Sequence, residues 1–190
     1  VKFVLNDAQD AWTKILPPSS RVGYSRAKMV LFRDRVDSAC GAATSAVGPF
    51  YCPADQKVYI DLQFYRDLRD RFHAPGDFAQ AYVVAHEVGH HIQTLLGTSD
   101  RVRAAQQRGG EREANRLSVR LELQADCYAG VWGASASRRG LLEPGDVVWV
   151  SATKGIEEGT SLRMTEVIRE TTGCGGRAAG SASSTLPSRA

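Results

Sequence analysis

Apolar residues recur at three- and four-residue steps in two long segments, the period of a helix with one buried face. The first segment runs from Phe78 to Leu96, where Phe78, Tyr82, Ala85, Gly89, Ile92 and Leu96 form the stripe. It opens after Pro75-Gly76 with Asp77 in the N-cap position, and Gly97 stands where a C′ glycine ends a helix. The second segment runs from about Glu113 to Trp132, with Leu117, Leu121, Ala125, Tyr128 and Trp132 as its core face. A shorter amphipathic helix is predicted over residues 1–16 from Phe3, Ala8, Ala11, Trp12 and Ile15, ended by Pro17-Pro18. Lys28–Phe32 (KMVLF) and Lys57–Leu62 (KVYIDL) are rich in β-branched and aromatic residues and read as strands. Gln63 to Phe72 reads as a short helical link into the first long helix. Residues 98–116 are polar with a Gly-Gly break, so an exposed connection between the two long helices is expected.

The first long helix carries an uncommon cluster. Residues 86–91 read HEVGHH and hold three of the four histidines in the 190-residue chain. Within the run lies H-E-x-x-H: His86, Glu87 and His90. Residues i and i+4 project from one helix face, so the two imidazoles can grip one zinc ion without bending the backbone. Glu87, one step after the first histidine, is placed to take a proton from a water activated by that ion. His86 and His90 lie beside the apolar stripe, at the edge of the core. His91 points ~100° away from His90 and is expected beside the site or at the surface, not as a ligand. His73 precedes Ala74-Pro75 in a loop and carries no expected role.

Catalytic zinc takes three protein ligands and leaves a position open to water. The second long helix supplies the candidate. Glu122 and Asp126 stand at i and i+4 in a segment otherwise rich in Ala, Leu and Val, where acids are costly to bury unless paired or metal-bound. Glu122 is assigned as the third ligand, and Asp126 as the acceptor for the free N–H of a ligand histidine. Exposed acids on an amphipathic helix are the competing reading.

Three stretches, Ser38–Leu62, Arg71–Gly97 and Leu117–Gly133, resemble the bacterial family called putative neutral zinc metallopeptidase. The resemblance covers about residues 25 to 146. It implies a zincin-like α+β fold, mainly helical, with a small sheet beside the zinc-binding helix. Glu122-Leu123-Gln124-Ala125-Asp126 is also similar to the Glu-x-x-Ala-Asp third-ligand helix of gluzincins. The implied activity is hydrolysis of peptide bonds by a zinc endopeptidase, with one Zn²⁺ per chain and a peptide or protein as substrate. In such architectures the edge strand binds extended substrate, and Val58–Leu62 is the candidate for it. Family members are usually tethered by one N-terminal helix. An extracytoplasmic, membrane-associated protein is therefore implied, its anchor outside this chain, which begins at Val1 and not Met. Beyond Asp146 the chain departs from the family's pattern, and no histidine follows His91. That departure supports a competing function, a catalytically silent zinc-binding homologue acting as an envelope scaffold or regulator.

Composition narrows the rest. With 43% hydrophobic residues the chain can bury a proper core. Residues 1–146 are expected to form the metallopeptidase domain and 147–190 a divergent segment, disordered from about 173 where Gly, Ala and Ser dominate. A net charge of +3, without a basic block interleaved with aromatics, argues against nucleic acid as a partner. No run approaches the ~20 apolar residues of a membrane span. Of four cysteines, Cys40 and Cys52 flank a Gly/Ala/Ser-rich loop, and either a disulfide or two buried thiols fits the spacing. Cys127 sits inside the Glu122 helix and Cys174 in the tail.

Overall fold

The computed structural model describes residues 1–142 apart from 18, 20, 46 and 71–76. The elements in chain order are α1 (Lys2–Ile15), β1 (Lys28–Phe32), β2 (Arg35–Ser38), β3 (Gly41–Thr44), β4 (Phe50–Cys52) and β5 (Lys57–Asp61), followed by α2 (Leu62–Asp70), α3 (Asp77–Leu95), α4 (Thr98–Arg108) and α5 (Glu111–Arg138). This is the expected α+β arrangement, mainly helical with a small sheet. The expected boundary at 146, the tail, Cys174, His73 and the Asp77 side chain lie outside the described residues. Among the described residues no helix is long and apolar enough to cross a membrane.

α3 is the hub. Its apolar face, with Val84, Ala85, Val88 and Ile92 at most 1% exposed, packs between α5, α1 and the sheet. α1 closes the far side through Leu5, Ala8, Ala11 and Trp12, whereas Phe3 and Ile15 of its predicted stripe are exposed. Two polar anchors hold α1. Gln9, buried, accepts from the Ala27 N–H at 2.7 Å and from the Tyr24 hydroxyl at 3.2 Å. Asp7 accepts from Trp132 Nε1 at 2.8 Å and from both Nη atoms of Arg139.

The helix pair α3–α5 approaches closely at Gly89. A Cβ there would lie 2.8 Å from the Ala125 carbonyl oxygen and 3.0 Å from Ala125 Cα, both backbone atoms that cannot swing aside. Gly89 is the last residue before His90, and Ala125 precedes Asp126, so the missing side chain lets the two halves of the site meet. Gly89→Ala is expected to destabilise the metal-free protein by about 1–2 kcal/mol net, overpacking outweighing the gain in helix propensity. Thermal melts would show it as a lower midpoint. A midpoint at or above the native value would mean the contact is not tight.

The main sheet has the order β1-β5-β4, with β1 parallel and β4 antiparallel to β5; β2 and β3 form a separate hairpin. β5 is therefore central. Both its edges are taken, so Val58–Leu62 cannot be the substrate-pairing strand. β4, which packs against α3, is an edge strand with no further strand paired to it among the described residues. A disulfide joins Cys40 to Cys52 with Cα atoms 5.8 Å apart, tying the β2–β3 turn to the end of β4. No described cysteine is a free thiol. Asp61 ends β5 and caps α2 by accepting the Gln63 N–H at 2.9 Å.

The polar stretch 98–116 is not an open connection. It forms α4 and the first turns of α5, separated by Gly109-Gly110. α4 has no buried residue, which is why its sequence lacks a core stripe. It lies against α3 and α5 through half-buried side chains such as Val102 and Gln106.

Candidate metal centre

α3 and α5 bring His86, His90 and Glu122 to one point. His86 Nε2 lies 3.1 Å from His90 Nε2 and 3.2 Å from Glu122 Oε2, and His90 Nε2 lies 3.5 Å from the same oxygen. Ligands ~2.0–2.1 Å from a tetrahedral zinc stand roughly 3.3–3.4 Å apart, so the triangle has the size of one face of that tetrahedron. The donor set fits as well. Two imidazole nitrogens and a carboxylate oxygen facing one another present lone pairs to a shared point, an arrangement that a cation satisfies. These three residues form a group able to hold a metal ion among the described residues.

The outer nitrogens are held too. His86 Nδ1 lies 2.8 Å from Asp126 Oδ1, where its N–H donates to the carboxylate. His90 Nδ1 lies 2.9 Å from Gln93 Oε1. Each contact puts the proton on Nδ1 and leaves Nε2 free to bind an ion. Asp126 also accepts from the Tyr82 hydroxyl, and burial together with the Asp126 charge keeps that phenol protonated. Gln93, fully buried, anchors itself by donating to the Leu121 carbonyl at 2.6 Å and to Gln124 Oε1 at 3.2 Å.

Electrostatics follow from this crowding. Burial alone would lower the His86 pKa, but the Asp126 and Glu122 carboxylates reverse it and raise the value to about 9. His90 is raised in the same way, chiefly by Glu122 and Glu87 working against burial. Glu122 is held well below the usual carboxylate range by hydrogen bonds to both histidines. Glu87 goes the other way: 6% exposed, its carboxyl is pushed up by burial, partly offset by the two histidines and the Tyr51 N–H.

A pH dependence follows. A folded-state pKa of about 9 for His86, above the ordinary 6.5, contributes stability fully present below ~6.5 and lost as pH rises through about 9. His90 adds to the loss with the same sign. Metal-free protein is therefore expected to weaken between pH ~6.5 and about 9, and zinc uptake at pH 7 to release protons. Denaturant titrations across that range, with calorimetry in two buffers, check both. A flat stability profile with no proton release would contradict the assignment.

The triangle sits in an open cleft of about 530 Å³ that Glu87 also lines, together with Phe50 and Tyr51 of β4, Arg103 of α4 and Leu121 of α5. His91, expected beside the site or at the surface, is fully buried. Its Nδ1 accepts from the Tyr51 hydroxyl at 2.9 Å and its Nε2 donates to the Ser25 carbonyl at 2.7 Å, which ties α3 to β4. Tyr65 is a further neighbour. Its hydroxyl is buried with no hydrogen-bond partner among the described residues, and burial and the Glu87 charge push its pKa up to about 12. Sequence reading missed the site roles of Tyr51, Tyr82 and Gln93. Only Gln93 left a signal, as a polar residue one turn after His90 in an apolar helix.

A family model described as "Putative neutral zinc metallopeptidase" matches residues 1–165. The chain belongs to this family. The match reaches further at both ends than the resemblance over about residues 25–146. Relatives include the uncharacterized protein YpfJ of Escherichia coli K12, 52% identical over 144 residues, which are 76% of this chain and 50% of that protein. The uncharacterized protein Rv2575 of Mycobacterium tuberculosis is 49% identical over 133 residues, 70% of this chain and 42% of that protein. The chain thus spans half or less of the length of these relatives. No solved structure matches.

Proposed function

We propose that the chain is a zinc-dependent endopeptidase in which His86, His90 and Glu122 hold the ion and Glu87 is the general base. The observation that carries this reading is the 3.1–3.5 Å triangle of donors with a buried carboxyl beside it in the same open cleft. Zinc, when bound there, supplies an acidified water and a polarised scissile carbonyl. Glu87 would take a proton from the attacking water at its carboxylate and pass it to the leaving amine. Its burial favours this shuttle, since a carboxyl lifted above its ordinary pKa is a stronger base toward water. Asp126 and Gln93 keep the two imidazoles in the ligating tautomer. The edge of β4 left unpaired among the described residues supports extended substrate by backbone pairing, the role first sought at β5. Zinc binding alone requires no acid at Glu87, which favours turnover over a silent scaffold.

Mass spectrometry of a mixed peptide library incubated with zinc-loaded protein tests the endopeptidase reading. New termini at internal bonds are expected. Loss of terminal residues only would assign an exopeptidase instead.

A further inference from the structure

The cleft has two unlike walls. On the side of β4 it is lined by Val47, Pro49 and Phe50, which offer apolar surface. The wall from α4 is polar, with Ser99, Arg103 and Gln106 at steps of four and three residues on one helix face. Gln106 is already held, donating to the Ala114 carbonyl at 3.2 Å and to Ser118 Oγ at 2.8 Å.

Arg103 is different from the other arginines of α4. Arg101 donates to the Leu96 carbonyl and to Thr98 Oγ1, and Arg108 donates to the Ala104 carbonyl. Arg103 lines the cleft with no hydrogen bond or ion pair among the described residues. Histidines apart, it is the one cationic side chain among the described lining residues, and Glu87 and Glu122 are the anionic ones. Glu122 is one of the converging donors and Glu87 lies near enough to interact with both histidines, so the two carboxylates together balance a divalent ion held there. The guanidinium then sets the sign of the cleft. A planar fork of N–H donors is built for a carboxylate, which it can take by two parallel bonds.

We infer that Arg103 is a specificity-determining residue that binds a carboxylate of the substrate, so that the cleft selects peptides carrying negative charge near the bond held at the metal centre. The inference rests on the peptidase reading for the identity of the ligand as a peptide. The carboxylate has two sources, an Asp or Glu side chain or the peptide's own C-terminus. Because Arg103 is exposed, the pair is solvent-screened, and a preference of roughly two- to fivefold is expected, shrinking in high salt.

The test measures binding apart from cleavage. Zinc-loaded Glu87→Gln protein is titrated with fluorescent peptides of one length. One group is C-terminally amidated, with a single Glu walked through the positions; a second replaces that Glu by Lys; a third is neutral and amidated; a fourth is neutral with a free C-terminus. Roughly two- to fivefold tighter binding is expected for either the best Glu peptides or the free-carboxylate peptide, and which of them gains identifies the source. Adding Arg103→Gln should level the series and Arg103→Glu should turn the preference toward Lys, with melting temperatures confirming that both variants fold. No gain for either carboxylate, or the same order in Arg103→Glu, overturns the inference. Native protein given the same peptides separates the two ideas. Cleavage without any charge preference defeats the role of Arg103 and leaves the peptidase reading. Arg103-dependent carboxylate binding without cleavage defeats the peptidase reading and leaves the carboxylate site.

Discussion

Glu87→Gln is expected to retain one zinc per chain and to lose peptide hydrolysis by about 10²–10⁴-fold, the range typical of a removed general acid–base group. The substitution keeps the shape of the side chain, and Glu87 lies next to His86 without being one of the three converging donors. Ligand geometry should survive. What disappears is the ability to take a proton from water and return it to the leaving amine. The neutral amide also fits a pocket that already penalises a buried charge, so folding should be unharmed. Steady-state cleavage of a quenched fluorescent peptide, alongside zinc content by atomic emission, reads both quantities. Equal rates in the native and variant proteins would mean that the base is a different residue. Loss of zinc together with rate would make Glu87 a contributor to metal binding instead.

Glu122→Ala should act on the metal first. Second-sphere partners of a zinc ligand are worth about 10–100-fold in affinity, so loss of the ligand itself should exceed roughly a hundredfold. The side chain is about half exposed (49%) on α5, and its removal opens no cavity in the core. The metal-free fold should therefore stay intact, apart from the weaker hold on the His86 and His90 protons. Competition with a chromophoric chelator measures the affinity. A variant that kept full affinity and activity would show that Glu122 is not the third ligand. These two substitutions separate binding from chemistry: the first leaves zinc and removes turnover, whereas the second removes both through zinc.

How much of this was legible in the residues follows from the range of each interaction. His86, Glu87 and His90 were readable because their relation is local, within five residues of one helix. Glu122 and Asp126 were readable as acids in an apolar helix, and the structure places both at His86. The partners Tyr82 and Gln93 are ordinary in sequence and become informative only when α5 is packed on α3. The surface alternative for His91 failed for the same reason: direction on a helix says nothing about a strand that arrives to cover it, and Tyr51 of β4 does so. The strands β2, β3 and β4 passed unread. They are three or four residues long in a stretch with few β-branched residues, and pairing with neighbours holds them. α4 was read as a connection because no side chain on it is buried, so hydrophobic periodicity had nothing to report. The edge strand could not have been told from the central one, since strand order is a property of the assembled sheet.

The most direct measurement is cleavage of unfolded casein by one preparation in three states: zinc-loaded, stripped by chelator and dialysed, then reloaded with one equivalent of zinc. The account predicts fragments in the first state, none in the second and recovered cleavage in the third. Undiminished cleavage by the stripped protein, or no cleavage of casein or of a diverse peptide library by protein shown to carry one zinc, would contradict it.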